Sequence, residues 1–385
     1  MIEFFTLIES ALITPPFTQL NTPYPATAYL KGFLNTKDIS SEQMDLGIEV
    51  ILELFTPKRL SEIFELAHSN NRIQSENSHR IFTLKNEYLE TIESTLEFLQ
   101  GKQPTLARLI CTENFLPQAS KFDQLDDLEW AFGNMGMQDK AKHLATLYLE
   151  DISDFITECI DENFGFSRYA ERLGMSANSF DELYDSINQD PTYIDIIALD
   201  LLKKRIENAP PKMICFSVPF PGNLYSAFRC AQFIKQNYPQ IKVCMGGGFP
   251  NTELRDLKDA RVFEFFDFIT LDDGELPIEL LYNYIQNNSP KSFDFKRTFY
   301  LENGIVVYNN SSVKADYKQA FVGTPDYSGL PLDKYISVIQ IANPMHSLWS
   351  DGRWNKLTMA HGCYWGKCTF CDISLDYIKL YEPIA

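Results

Sequence analysis

The stretch from residue 212 to 288 constrains the fold most, because short apolar runs alternate there with helical patterns. Met213 to Val218, Ile241 to Met245 and Phe268 to Leu271 have the length and composition of buried strands. Each run ends in a turn rich in proline, glycine or aspartate. Three consecutive strand–helix units of this kind predict an α/β fold with a doubly wound parallel sheet and right-handed crossovers.

The first 56 residues carry a similar pattern. An apolar stretch from Leu7 to Ile13 stops at Thr14-Pro15-Pro16. Helical patterns follow at Ala26 to Phe33 and at Ile48 to Phe55. A strand that ends in a proline-bracketed loop before a helix is where α/β sheets place ligands, although many such loops only form a turn. We therefore expect this segment to belong to the same sheet.

Residues 57–210 carry apolar side chains at intervals of three and four, which is the pattern of amphipathic helices. Ile81 to Leu99 predicts one long helix, Leu144 to Ile160 a second, and Thr192 to Ile206 a third. We expect the aromatic and leucine side chains of this segment to form core. The segment is therefore predicted to be a helical insertion between the two parts of the sheet domain.

Charge and composition exclude several classes of partner. With 52 acidic and 34 basic residues, the chain has a formal net charge of −18 and no local basic patch, so nucleic acid is not an expected partner. No run of 18 apolar residues occurs and the N-terminus has no basic signal region, so no membrane partner is expected. The scattered cysteines outside the C-terminal cluster predict free thiols in a reducing cytoplasm.

Three cysteines lie within nine residues near the C-terminal end of the sequence. Cys363, Cys368 and Cys371 are separated by four and then two residues. Thiols this close cannot form one unstrained disulfide framework, and soft thiolate ligands in such a group favour a single metal centre. Gly362 and Gly366 would let the backbone wrap tightly around it.

Two metal centres fit the residues of this loop. Three thiolates leave the fourth iron of a [4Fe–4S] cluster open for a substrate or cofactor. Alternatively, His361 and the three cysteines could complete a tetrahedral Cys₃His zinc site. Structural zinc sites usually combine two separate ligand segments, whereas all four ligands here would come from one loop. The residues alone leave both centres open.

The segment Gly362-Cys363 through Cys368-Thr369-Phe370-Cys371-Asp372 resembles the cluster loop of radical SAM enzymes. The wider arrangement is similar to radical SAM proteins that carry an N-terminal, Rossmann-like cobalamin-binding domain. Stretches similar to those of that domain lie at Pro15-Pro16, Asn21 to Pro25, Ser217 to Leu224, Gly246 to Phe249 and Gly274-Glu275. The resemblance covers residues 5–56 and 212–372.

The resemblance implies functional positions, although it assigns no catalytic residue. Cys363, Cys368 and Cys371 would ligate three irons of a [4Fe–4S] cluster. Cofactor contacts are implied at Pro16, Asn21, Tyr24, Ser217, Pro221, Gly222, Gly247, Gly248, Gly274, Glu275 and Phe370.

The family's chemistry implies that the unligated iron chelates S-adenosylmethionine. Electron transfer from the cluster would then cleave this cofactor to a 5′-deoxyadenosyl radical, which abstracts a substrate hydrogen. Phe370 would shield the cluster, and a cobalamin, if bound, would lie on the strand-end loops. No Asp-x-His-x-x-Gly motif occurs in the sequence, so no histidine ligand to cobalt is expected.

The chain departs from the family in two further respects. Its cysteine spacing of four and two differs from the usual three and two, so we expect a different loop geometry. The family's catalytic domain is a partial (β/α) barrel of roughly 200 residues, of which we find the first strand and the cluster loop. We therefore expect the chain to correspond to the front portion of such an enzyme, as a truncated gene product, one piece of a split protein or a fragment. It is then expected not to perform the full reaction alone, and a separately encoded barrel is a candidate partner.

The predicted organisation follows from these patterns and the resemblance. It comprises the first part of a cobalamin-binding-like α/β domain (1–56), a helical insertion (57–210), the second part of the α/β domain (211–290), a hairpin and connector (291–350), and the first strand and cluster loop of an incomplete radical SAM barrel (351–385). Within it, Glu302-Asn303-Gly304 predicts the hairpin turn and Lys356 to Ala360 a short strand. The alternative function is a non-catalytic corrinoid- or ligand-binding module with a structural zinc site.

Overall fold

A seven-stranded sheet lies at the centre of the molecule, in the strand order β2-β1-β3-β4-β5-β6-β7. The computed structural model describes residues 8–112, 114–124, 136–166, 170–175, 180–287, 294–339, 356–369, 372 and 374–383. The strands are β1 (Ser10–Thr14), β2 (Ser41–Asp45), β3 (Met213–Ser217), β4 (Lys242–Gly246), β5 (Phe268–Thr270), β6 (Thr298–Glu302) and β7 (Ile305–Asn309). Strands β1 to β5 pair in parallel, whereas β6 and β7 are antiparallel. The predicted α/β fold with a mostly parallel sheet is confirmed.

Helices connect the parallel strands and cover the sheet. They are α1 (Ala26–Asn35), α2 (Leu46–Leu54), α3 (Pro57–Ser69), α4 (Glu76–Thr83), α5 (Lys85–Leu99), α6 (Ala107–Ile110), α7 (Met137–Cys159), α8 (Glu171–Met175), α9 (Asp181–Ile187), α10 (Tyr193–Asn208), α11 (Leu224–Asn237), α12 (Gly248–Glu253), α13 (Glu275–Asn287) and α14 (Asp376–Lys379). Among the described residues, no helix combines the length and the apolar character needed to cross a lipid bilayer.

The order of the parallel strands creates a crevice at one point of the sheet. Strand β1 pairs with β2 on one side and with β3 on the other, and the chain then continues outward through β4 and β5. Connections therefore leave the carboxyl ends of β1 and β3 in opposite directions. In open α/β sheets, ligands bind at such a topological switch point.

The segment between α2 and β3 contains helices α3 to α10. One prediction for this segment, a single long helix, is wrong. The apolar repeat from Ile81 to Leu99 predicts a single helix, but α4 ends at Thr83 and α5 begins at Lys85. The break lies at Leu84, whose ψ of 12° departs from helical values. The apolar stripe continues across the bend because Leu84 itself packs against the core.

The predicted hairpin turn is confirmed, whereas the predicted strand before the cysteine loop is shorter than expected. Asn303 and Gly304 both have positive φ, 51° and 78°, as a two-residue type I′ turn requires. Strand β8 comprises only Ala360–His361 and pairs antiparallel with β9, Glu382–Pro383. The backbone before it bonds to tyrosine hydroxyls instead of a neighbouring strand. The start of a barrel stays a prediction.

A buried ion pair joins the helical segment to the sheet domain. The Arg229 guanidinium on α11 lies 3.1 Å from the Asp195 carboxylate on α10, and each side chain is 4% exposed. The Tyr225 hydroxyl donates to the same carboxylate at 2.8 Å. Arg229 also donates to the backbone carbonyls of Ile187 and Ser186, at 2.7 and 3.2 Å. These bonds replace the water that both charges lose on burial.

We expect Arg229→Met to lower the free energy of unfolding by about 3–5 kcal/mol, because it leaves the Asp195 carboxylate buried and unpaired. The matched control is Arg80→Met, which removes an exposed 3.0 Å pair with Asp123 and should cost about 1 kcal/mol or less. Urea denaturation of both variants measures the difference. Equal losses in the two variants would contradict a structural role for the buried pair.

Candidate functional site

A cavity of about 220 Å³ opens at the carboxyl ends of β1, β3, β4 and β5. Its floor is apolar and includes Leu12, Cys215 and Cys244. Its rim is polar and includes Asp273 and Glu275, from the turn that follows β5. The cavity is smaller than the roughly 300 Å³ at which small-molecule pockets usually begin. It can therefore hold one ring or one arm of a larger ligand.

Two buried hydroxyl groups of the cavity wall have no hydrogen-bond partner among the described residues. They belong to Thr27, in the first turn of α1, and Ser217, the last residue of β3. Their residues are 1% and 6% exposed. A buried polar group left unpaired costs about 1–3 kcal/mol. A ligand with a polar atom in the cavity would remove that penalty.

The glycines that follow β4 are required by close backbone packing. Gly247 has a φ of 107°, and a Cβ placed there would lie 2.7 Å from the carbonyl oxygen of Val218. A Cβ on Gly248 would lie 2.7 Å from the carbonyl oxygen of Pro219. The loops after β3 and β4 can therefore meet only through glycine. Gly247 also lines the cavity, so the same contact brings bare backbone to the site.

Gly247→Ala should destabilise the chain more than Gly304→Ala. Both positions have positive φ, but nothing lies within 4 Å of the Cβ position at Gly304. Gly304→Ala therefore measures only the cost of an alanine at positive φ, which is about 1–2 kcal/mol of unfolding free energy. In Gly247→Ala, the overlap of the new Cβ with the Val218 backbone should increase the loss of unfolding free energy by about 1–3 kcal/mol more. Chemical denaturation compares the two variants, and identical losses would show that the β3 loop is not tightly packed there.

The turn after β5 is held in place by arginine side chains. The Arg297 guanidinium donates to the carbonyl oxygens of Leu271 and Asp273, at 3.2 and 3.0 Å. It also forms two 2.7 Å bonds with the Asp316 carboxylate. These bonds fix the backbone beside Glu275, whose pKa is raised by burial and by the nearby Asp273 charge. The cavity rim thus carries two carboxyl groups on a rigid turn.

The segment that carries the cysteines is bonded to the rim of this cavity. His361 Nε2 lies 2.8 Å from Asp273 Oδ1. The backbone N–H of Thr358 donates to the hydroxyl of Tyr29 at 2.6 Å. Both Asp273 and Tyr29 line the cavity. Because His361 is followed at once by Gly362-Cys363, the cysteine loop begins at the mouth of the cavity.

The described part of the cysteine loop has a tightly wound backbone. Gly362 and Gly366 have positive φ, 70° and 58°, a backbone conformation that favours glycine. A Cβ on Gly362 would lie 2.2 Å from the carbonyl oxygen of Leu380. The backbone N–H of Gly366 donates to Cys363 Sγ at 3.4 Å. Cys363 is half-buried and Cys368 exposed.

The structure leaves part of the predicted metal site undescribed. Cys371 and Phe370 lie outside the described residues. Within the described part of the chain, no three histidine, cysteine or acidic side chains converge as a metal site would require. His361, proposed as the fourth zinc ligand, is engaged by Asp273 and also hydrogen-bonds to the backbone of Leu380. Zinc binding through this imidazole would have to break these contacts.

The other predicted cofactor positions divide into two groups. Ser217, Gly247, Gly274 and Glu275 line the cavity. Those outside its lining are Pro16, Asn21, Tyr24, Pro221, Gly222 and Gly248.

The positions outside the lining shape the loops around the crevice. The Tyr24 ring packs edge-on against Phe220 at 5.9 Å, and the Lys356 ammonium lies 5.6 Å from its centroid. Pro221 and Gly222 form a short 3₁₀ helix. The Asn223 amide that follows donates to the carbonyl oxygens on both sides of Pro16, at 3.0 and 2.7 Å. These residues thus hold the loops after β1 and β3 together.

Some residues of the site were not singled out from the sequence. Thr27 and Tyr29 belong to an ordinary helical pattern and carry no motif. Asp273 lies in the acidic turn after β5, whereas the family resemblance extends only to its neighbours Gly274 and Glu275. The acidic residues of this turn, at the end of a predicted strand, were the sequence signal that could have identified Asp273 as a site residue. Its partner His361 lies 88 residues away, so no local pattern could show the pair.

No protein-family model matches the chain, and no significant match is found among curated proteins or solved structures. The function is therefore inferred from the residues of the site and their geometry.

We expect Asp273→Asn to lower the pKa of His361 in the metal-free chain. The hydrogen bond to the Asp273 carboxylate raises this pKa above its usual value near 6.5. At pH values below the ordinary pKa of histidine, the ion pair contributes its full stabilisation to the contact between His361 and the cavity rim. This stabilisation is lost as the pH rises through the raised pKa of His361. NMR titration of the imidazole measures the change, with His79 as an internal control. An unchanged His361 titration would show that the pair does not form.

Proposed function

We propose that this chain is a radical SAM-type protein whose cysteine loop binds a [4Fe–4S] cluster beside a cavity that receives part of a corrinoid. The observation that supports it most is the bond between His361 and Asp273. It brings the start of the cysteine loop to the carboxyl ends of parallel strands, where α/β proteins usually bind ligands. In a binding module whose metal is only structural, the function would not require the cysteine loop to lie next to the cavity.

The donor set of the loop fits an iron–sulfur cluster. Cys363, Cys368 and Cys371 would be the ligands, and thiolates are the usual ligands of such clusters. The Gly366 N–H that donates to Cys363 Sγ is of the kind that tunes cluster potentials. When bound, the cluster would supply the electron for reductive cleavage of S-adenosylmethionine. The chain's own residues would position the cluster, through the His361 contact, over the cavity.

The cavity fits one arm of a corrinoid and not the whole macrocycle. Its volume of about 220 Å³ excludes a large ring, which would have to lie above the strand ends. Thr27 and Ser217 would offer their unpaired hydroxyls to the inserted group. Leu12 on the floor would exclude water from it. The bare backbone at Gly247 would allow the macrocycle to approach closely.

The alternative function is a non-catalytic corrinoid- or ligand-binding module whose cysteines hold zinc. It shares the cavity with the first proposal and differs in the metal. The engagement of His361 by Asp273 and Leu380 favours iron–sulfur over a Cys₃His zinc centre, because the imidazole already has partners.

A protein partner for the terminal segment is supported by a second observation. Large apolar side chains are exposed around the cysteine loop, and Met359 and Tyr364 are 80% and 81% exposed. Others in this segment are Leu357, Trp365, Leu380 and Tyr381. Exposed apolar groups gathered in one segment mark interaction surfaces. We propose that a barrel of the radical SAM type covers them.

Anaerobic reconstitution with iron and sulfide tests the metal assignment. We expect about four irons per chain in the wild type, and loss of the bound iron and of the cluster's visible absorbance in Cys368→Ala. Cys111→Ala is the matched control, because Cys111 is a half-buried thiol far from the loop in sequence.

Two results would separate the alternatives. A colourless protein with one zinc per chain would contradict the radical SAM proposal and favour the binding module. Equal iron content in the wild type and in Cys368→Ala would show that iron binds elsewhere.

A further inference from the structure

Two cysteines face each other on neighbouring strands beneath the cavity. Cys215 of β3 and Cys244 of β4 are direct register partners in the parallel ladder. Adjacent strands lie about 4.8 Å apart. That separation falls within the roughly 4.4–6.8 Å between Cα atoms that a disulfide can bridge. The strand pairing alone therefore brings these two residues within bonding range.

Both side chains point to the same face of the sheet. Register partners share a face, and both cysteines line the cavity floor beside Leu12. Both thiols are free, and the Cys215 thiol lies close enough to Cys244 to help raise its pKa. By contrast, the thiols of Cys111 and Cys159 donate to backbone carbonyls. The Cys215–Cys244 arrangement is thus a close dithiol that opens into a ligand-sized space.

We propose that Cys215 and Cys244 form a redox-active dithiol, which small-molecule disulfides entering the cavity oxidise to an intrachain disulfide. The inference does not depend on the metal or on the corrinoid. It assigns a chemical function to two thiols for which the sequence predicted only a free, reduced state.

The exchange proceeds in two balanced steps. The Cys215 thiolate attacks one sulfur of the small disulfide, so that a mixed disulfide forms and the first thiol leaves. The Cys244 sulfur then attacks Cys215 Sγ, the protein disulfide forms, and the second thiol leaves. The two protons of the cysteines end on the two released thiols, and the oxidant gains two electrons.

The surroundings set the order of attack. Cys215 is half-buried and reachable from the cavity, whereas Cys244 is 3% exposed. Burial and the neighbouring thiol raise the pKa of Cys244 well above its ordinary value, which makes it a poor first nucleophile. Cys215 therefore reacts first and Cys244 resolves the mixed disulfide. The product is uncharged, which suits an apolar floor.

The cross-link would be reversible and would alter the cavity. Excess thiol would reduce the bond again by the same exchange run in reverse. Oxidation would join β3 to β4 covalently and remove both thiol hydrogens from the cavity floor.

The metal-free chain is equilibrated anaerobically in buffers of oxidised and reduced glutathione at varied ratios, then alkylated and digested with trypsin. Cuts after Lys212, Arg229, Lys242 and Arg255 place the two cysteines on separate peptides. We expect those peptides to become linked, with a combined mass lower by two hydrogens, as the fraction of oxidised glutathione rises. Excess dithiothreitol should restore two alkylated thiols.

Variants and one internal control complete the test. Cys244→Ala should stop the reaction at a glutathione adduct on Cys215, and Cys215→Ala should leave Cys244 alkylated throughout. Cys230, buried on α11, is the internal control and should stay reduced at every ratio. The proposal is wrong if both cysteines of the wild type remain reduced, and are therefore alkylated, at every glutathione ratio. It is also wrong if Cys215 carries glutathione while Cys244 remains a free thiol.

Discussion

The pairing of β1 with both β2 and β3 is the constraint on which the rest of the structure depends. It reverses the direction of the connections at the centre of the sheet and leaves a crevice at the strand ends. It also requires a crossover from β2 to β3, and that crossover contains the whole helical segment, α3 to α10. The buried Arg229–Asp195 ion pair joins α10 of this crossover to α11 of the sheet domain.

The candidate site follows from this topology. Strand ends supply an apolar floor, Thr27 of α1 and Ser217 of β3 supply hydroxyls, and the turns after β4 and β5 supply bare glycine backbone and carboxylates. The acidic turn after β5, held by Arg297, provides the docking point for the segment that carries the cysteines. The cavity and the cysteine loop are therefore neighbours because one carboxylate, Asp273, belongs to the first and binds the second.

The sequence predicted the parallel strands well, because buried apolar runs leave few alternatives: β3 and β4 lie within one residue of their predicted bounds. The I′ turn at Asn303-Gly304 was equally readable. The bend at Leu84 was not, since an amphipathic stripe can continue across a break in a helix. The site was predicted in part. Glycine turns and the cysteine spacing are local signals, whereas the His361–Asp273 bond joins residues that no spacing rule connects.

Magnetic coupling between two bound cofactors would test the central claim, namely that the cysteine loop lies at the mouth of the cavity. The reconstituted chain is loaded with cob(II)alamin, reduced, and measured by electron paramagnetic resonance beside Cys368→Ala. The account predicts that the cob(II)alamin signal is broadened or split by the reduced cluster in the wild type and unperturbed in the variant. Two unperturbed signals from one chain that binds both cofactors would place the sites apart and contradict it.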